Sequence, residues 1–188
     1  MKMNKHIELP ITEPMYGTYH HQGPATAIDV NGNAAKNWCL NQAVNLMCGR
    51  RFLNGLTTPE LSVPGYSLLG TPYMEYISVP TRFTGGYINF IIKKMLDNGY
   101  YVYFETVDDY YVTGKSWYRE RHFMHNGLIC GYDSDDKTYC IYAYDKNWIY
   151  QKFWTPQNAF DAGRRAAEKQ GKFGNICAVK IKDEDVKI

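Results

Sequence analysis

The residues best suited to chemistry in this chain are a cysteine, Cys39, a histidine, His125, and an aspartate, Asp145. Together these types supply a nucleophile, an acid–base group and a carboxylate that orients it. Cys39 lies in Asn33-Ala-Ala-Lys-Asn-Trp-Cys39-Leu-Asn-Gln-Ala-Val-Asn-Leu46. Gly32 and Asn33 read as a turn, after which Leu40, Ala43, Val44 and Met47 recur at helical spacing. The sulfur therefore falls where a loop becomes a helix. Orphan backbone N–H groups and the positive end of the helix dipole favour thiolate over thiol there.

His125 opens a short apolar strand within His122-Phe-Met-His125-Asn-Gly-Leu-Ile-Cys-Gly131-Tyr-Asp133. The run Asp133-Ser-Asp-Asp-Lys137 has the composition of a hairpin turn. A hairpin closed there sets position 125 opposite 145, where the Asp145 carboxylate would hold the His125 ring and stabilise its protonated form. The imidazolium would keep Cys39 as thiolate and later deliver a proton to a leaving group. Asn33, six residues before Cys39, offers a side-chain amide that could join the Cys39 backbone N–H as oxyanion donors.

Each of these residues has a plainer competitor. His122 is the rival base; three residues from His125 on a strand, it points to the opposite face, and the hairpin register selects His125. Asp133 reads as a turn residue. Asp108-Asp109 is a candidate paired-carboxylate site whose simpler reading is a solvated loop. His20-His21 reads as loop surface, and His20, His122, His125 and a cysteine match no standard zinc spacing. Cys48, Cys130, Cys140 and Cys177 lie in apolar patterns and are expected to be buried and inert.

The elements that must position these groups follow an α+β order, helices first and an antiparallel sheet second. Residues 1–30, with scattered Pro and Gly, form an extended lead-in. The first helix spans 39–50, and 54–84 is a long loop region. A second helix opens at Gly85-Gly86, with Ile88, Ile91, Ile92, Met95 and Leu96 as its apolar stripe and Gly99 at C′. Strands are expected over 100–107, 125–132, 138–144, 148–154 and 175–182, with a polar, aromatic loop over 108–121. Thr155 and Pro156 read as the N-cap and first residue of a helix that runs to about residue 171. With 188 residues, 45% of them hydrophobic, the expectation is a single domain over 1–188.

Composition excludes several classes. A net charge of +2, with no Lys/Arg run longer than two, leaves no electrostatic footprint for nucleic acid. No window approaches a membrane span, and the N-terminal residues lack the apolar run of a signal peptide. The expected location is the cytoplasm, with all five cysteines reduced. Neither a metal nor a bound organic cofactor is expected.

A cysteine heading the first long helix, an amide six residues earlier, a histidine at a strand start and an aspartate on the next strand resemble the papain-like cysteine-protease fold. More narrowly, Asn37-Trp-Cys-Leu-Asn41, the stretch 122–133 and the Tyr-rich segments are similar to the butirosin-biosynthesis acyltransferase (BtrH N-terminal-like) family, over roughly residues 30–165. The resemblance implies N-terminal helices packed on a C-terminal antiparallel sheet. It also implies amide formation in thiotemplated natural-product assembly, as in the transglutaminase-like amide synthase of closthioamide biosynthesis. There an acyl group leaves the phosphopantetheine thioester of an acyl or peptidyl carrier protein, esterifies cysteine and passes to a small-molecule amine.

On that resemblance Cys39 is the nucleophile, His125 the base and acid, and Asp145 the orienting group. Asn33 stands where many papain-like enzymes have Gln. A water-excluding aromatic site would favour amine over water, and Tyr110, Tyr111, Trp117, Tyr118 and Trp148 are candidates to line it. Arg50, Arg51, Arg119 and Arg121 are candidates to dock an acidic carrier protein. The alternative readings are a cysteine peptidase or isopeptidase with the same triad, and a non-catalytic small-molecule-binding protein for self-resistance.

Overall fold

The apolar stripe that begins at Ile88 forms a helix that closes one face of a sheet. The computed structural model describes residues 4–13, 27–28, 47–48, 61–62 and 74–182. Helix α1, Ile88–Asp97, follows two 3-10 turns at Thr81–Phe83 and Gly85–Tyr87. It buries Ile88, Ile92 and Leu96 and packs Ile91 and Met95 at the core's margin. Gly99 ends it in the left-handed region at φ 77° and donates its N–H to the Leu96 carbonyl. A side chain at such a C′ position would carry a steric penalty that glycine escapes.

The strands are β1 (His6–Glu8), β2 (Met47–Cys48), β3 (Leu61–Ser62), β4 (Met74–Pro80), β5 (Tyr101–Asp108), β6 (Met124–Asp133), β7 (Thr138–Tyr144), β8 (Tyr150–Pro156) and β9 (Asn175–Ile181). Seven of them form one sheet in the order β4-β9-β5-β6-β7-β8, with β1 pairing beside β6. The ladders of β1, β5 and β7 with β6, of β5 with β9 and of β7 with β8 are antiparallel. A second helix, α2, spans Gln157–Lys169. Both helices lie on one face. Tyr139 of β7 donates its hydroxyl to Asn89 Oδ1 of α1 and packs edge-on against Phe160 of α2 at 5.6 Å. One apolar core joins them, built from Val102, Phe104, Ile129, Ile141, Phe160 and Ile176 among others.

The β6–β7 hairpin adopts the anticipated register at its centre, Leu128 opposite Tyr142 and Ile129 opposite Ile141. Near the turn it slips by one residue, so that Gly131 faces Cys140. Asp133 caps the turn, accepting from the Asp135 and Asp136 N–H groups at 2.8 and 2.9 Å.

Several boundaries differ from expectation. Residues 47–48, assigned above to the first helix, instead pair with 61–62 as a short antiparallel ladder. Strand β4 emerges from the segment read as loop. It is an edge strand whose Tyr76 and Ile77 stay exposed, so it lacks the apolar alternation that marks a half-buried strand. Thr155 and Pro156 belong to β8, and α2 begins without a side-chain cap. The Thr155 hydroxyl is buried with no hydrogen-bond partner among the described residues. The chain divides into two compact units, residues 1–11 with 75–180 and residues 12–74 with 181–188. Among the described residues no helix is long and apolar enough to cross a membrane.

Candidate active site

The site grows from the end of β5. Val102, Phe104 and Val107 all enter the core, although simple alternation would turn Val107 away. One extra residue between the pairs Phe104–Gly127 and Val107–His125 restores the phase. Such a bulge re-aims the residues that follow it. Here they are Asp108, which closes β5, and Asp109, which opens a 3-10 turn, Asp109–Tyr111. Both aspartates are fully buried, where an uncompensated carboxylate would be costly.

Each carboxylate holds a different histidine. Asp108 Oδ2 lies 2.7 Å from His122 Nδ1, while its Oδ1 accepts from the Tyr110 and Phe123 N–H groups, each at 3.2 Å. Asp109 Oδ2 lies 2.8 Å from His125 Nδ1. The two pairs differ in exposure: the His122 side chain is 54% accessible, that of His125 only 5%.

A third group completes the buried pair. Lys115 is wholly buried, with Nζ 3.2 Å from Asp109 Oδ1 in an ion-pair contact. The contact is an ion pair, with no hydrogen bond assigned to Asp109 Oδ1 among the described residues. Nζ donates instead to the Asn126 carbonyl at 2.9 Å and sits 5.8 Å from the Phe104 ring centre. Burial pulls the Lys115 ammonium below its ordinary range, against the opposing pull of the Asp109 carboxylate. Successive turns carry Lys115 inward: Val112 N–H donates to the Asp109 carbonyl and Lys115 N–H to that of Val112. Gly114 makes this path possible. Its φ of 96° disfavours any side chain, and a Cβ there would lie 2.5 Å from the Phe153 ring.

Of the residues singled out in the sequence, His125 stands at the start of β6 with a carboxylate on Nδ1, but that carboxylate belongs to Asp109 and not to Asp145. Strand β7 ends at Tyr144, so Asp145 begins the connection to β8 and its carboxylate serves that turn. It accepts from the Asn147 and Ile149 N–H groups at 2.8 and 2.9 Å and from Gln151 Nε2 at 2.6 Å. Burial would raise the Asp145 carboxyl, yet these donors together hold it below the usual carboxylate range. The Asp145 backbone bridges to Lys115. The solvated-loop reading of Asp108-Asp109 is also overturned by their burial. Cys39, Asn33, His20, His21, Arg50 and Arg51 lie outside the described residues.

Lys115 is the candidate that the sequence did not bring forward, and Asp109 is one that its solvated-loop reading set aside. The missed signal was an acidic pair directly after an apolar strand, with a His-x-x-His run beginning at the next strand's entry. Pairing β5 with β6, rather than β6 with β7 alone, brings those two sequences together.

Aromatic side chains extend from the buried histidine. Phe123 stands edge-on to the His125 ring at 5.2 Å, Trp117 lies 6.2 Å from Phe123, and Trp148 meets Trp117 edge-on at 5.1 Å. The Arg121 guanidinium covers both Trp117 and Phe123, at 5.0 and 5.5 Å. Tyr110 instead stacks on His122 at 4.4 Å with Tyr111 against it, and Arg119 lies over Tyr118. Of the five aromatic candidates, Trp117 and Trp148 thus extend from His125, Tyr110 and Tyr111 gather at His122, and Tyr118 lies under Arg119.

Cys130, Cys140 and Cys177 are buried, and burial pushes the Cys177 thiol up to about 11. Among the described residues no three His, Cys, Asp or Glu side chains gather closely enough to hold a metal ion. No protein-family model matches this chain, and comparison with curated proteins gives no match.

Proposed function

We propose that the protein is a cytoplasmic, papain-like, cysteine-dependent acyltransferase that forms an amide from a carrier-protein thioester and an amine. The reading is supported above all by the buried Asp109–His125 pair at the entry to β6, with 2.8 Å between carboxylate and ring. A carboxylate on Nδ1 fixes the tautomer that leaves Nε2 to exchange protons with a nucleophile. Cys39 supplies that nucleophile, at the loop-to-helix position read from its sequence. The acidic member then comes from between Cys39 and His125 in the chain, a different order from the one the resemblance implies.

In this reaction His125 takes the Cys39 thiol proton, and the sulfur attacks the thioester carbonyl. The pantetheine thiol leaves with the proton that the imidazolium returns, so an acyl-enzyme forms and one thiol is released. An amine then attacks the acyl-enzyme, His125 accepts its proton, and the Cys39 thiol is regenerated as the amide departs. Thioester exchange is nearly balanced and aminolysis is downhill, so the enzyme needs only to favour amine over water. The aromatic run Phe123–Trp117–Trp148 beside His125 suits an apolar acceptor or acyl chain. Arg119 and Arg121 suit an acidic carrier protein.

The test is intact-protein mass spectrometry of wild type and Cys39→Ser after incubation with an acyl-loaded carrier protein, followed by product analysis with an amine present. An adduct on wild type alone, discharged to amide, is the expected result. Discharge to free acid at the same rate with or without amine would assign a hydrolase instead. No adduct on either protein would remove Cys39 from the chemistry.

A further inference from the structure

We propose that Lys115 is a positioning residue whose buried ammonium, held between Asp109 and the Asn126 carbonyl, cancels the Asp109 charge so that His125 is oriented without being locked as an imidazolium. The catalytic consequence rests on the acyl-transfer reading above, but the charge relation does not. The two aspartate–histidine pairs supply the reasoning. Asp108 pairs with an exposed ring and has two backbone N–H donors to its other oxygen. Asp109 pairs with a buried ring, and the neighbour of its other oxygen is the Lys115 Nζ, 3.2 Å away.

In a buried site an isolated carboxylate beside imidazole would draw a proton onto the ring, because the ion pair is preferred to an uncompensated charge. An imidazolium cannot accept the proton of a thiol or an amine. Lys115 supplies the compensating charge from the opposite side of the carboxylate and frees the ring to cycle.

Among the described residues, the other charged groups near His125 are held by partners of their own. On β5 and the approach to β6, Asp108 is engaged with His122, and the exposed Arg121 guanidinium lies over Phe123 and Trp117. Beyond β7, Asp145 is tied to its own turn. On α2, which packs on the 3-10 turn, Asp161 is paired with Arg164 and Arg165. Phe104 and the Asn126 carbonyl complete the Lys115 pocket, and neither titrates.

The test is an NMR titration of the His125 ring in the full chain, with labelled histidine and no substrate, across wild type, Lys115→Met, Asp109→Asn and the double variant. The His125 resonance is assigned by its loss in His125→Gln. Removing the cation leaves the ring facing a bare carboxylate, so the protonation midpoint in Lys115→Met rises by about one unit or more. Asp109→Asn leaves the ring near an uncompensated cation and lowers the midpoint. The double variant returns it to within about half a unit of wild type, a rescue that a purely space-filling lysine would not produce.

An unmoved midpoint in folded Lys115→Met would overturn the proposal. Should Lys115→Met fail to fold, recovery of folding in the double variant supports charge pairing, and failure of both variants contradicts it. Because no thioester or amine is involved, a negative acyltransfer assay leaves this result intact, and an unmoved midpoint leaves Cys39 chemistry standing.

Discussion

Two neighbouring carboxylates, Asp108 and Asp109, each hold the Nδ1 of a histidine, yet the pairs are built for different ends. The Asp108–His122 pair is half open to solvent, stacked under Tyr110, and its carboxylate also fastens two backbone N–H groups. It pins the loop that leaves β5 to the segment that enters β6. The Asp109–His125 pair is buried, carries a lysine of its own, and touches an aromatic run through Phe123. The contrast teaches that an Asp–His contact is not by itself a catalytic feature. Burial and a neighbouring lysine set the second pair apart from the one that fastens backbone, and on the proposed reading they suit it to proton transfer.

The sharpest way to break this comparison is to delete the two carboxylates separately. Asp109→Ala leaves Lys115 buried without its counter-charge, and unfolding in denaturant should show a loss of about 3–5 kcal/mol. Asp108→Ala strands two backbone donors but no buried cation, so a loss of about 1–3 kcal/mol is expected. Equal losses would mean that the lysine pair is not the costlier one to break.

A substitution that disturbs both pairs at once is Gly163→Ala in α2. The added Cβ would lie 2.7 Å from Val107 Cγ1 and 2.8 Å from the Asp108 carbonyl oxygen. Thermal unfolding should report a cost of about 1–3 kcal/mol, with changed chemical shifts at both His122 and His125. A change confined to one ring would show that β5 does not position the pairs together.

The smallest effect belongs to Asp145, the aspartate displaced from the site. Its folded carboxyl is held below the ordinary value by the donors of its turn, which overcome the effect of burial. A group depressed on folding stabilises above its unfolded pKa and loses that contribution as pH falls through the folded one. Asp145→Ala should therefore cost about 1–2 kcal/mol near neutral pH. The gap to wild type should close as pH drops below the carboxylate range. A gap that persists in acid would mean that the side chain acts through shape alone.

These residues also show what the sequence could reveal. The helical stripe of α1 and the central register of the β6–β7 hairpin were legible because each rests on local periodicity. Thus Ile88, Ile92 and Leu96 are buried, and Leu128 faces Tyr142. The partner of His125 was not legible, because it depends on events outside that hairpin. A bulge in β5 re-aims Asp109, and the left-handed turn at Gly114 brings Lys115 inside. An Asp-Asp pair in a polar stretch looks solvated until a buried lysine is seen to face it. Asp145 looked paired because the hairpin register was extended beyond the end of β7. The two-residue ladder at 47–48 and 61–62 and the exposed edge strand β4 left no periodic trace.

The most direct test of the account compares the two histidines on one reaction, the rate at which an acyl thioester labels Cys39. His125→Ala should slow labelling by about 10²–10⁴-fold, the range for loss of a general acid–base group, while His122→Ala should stay within a few-fold of wild type. Loss of labelling in His122→Ala with His125→Ala unaffected would contradict the assignment of the buried pair as the proton-transfer centre.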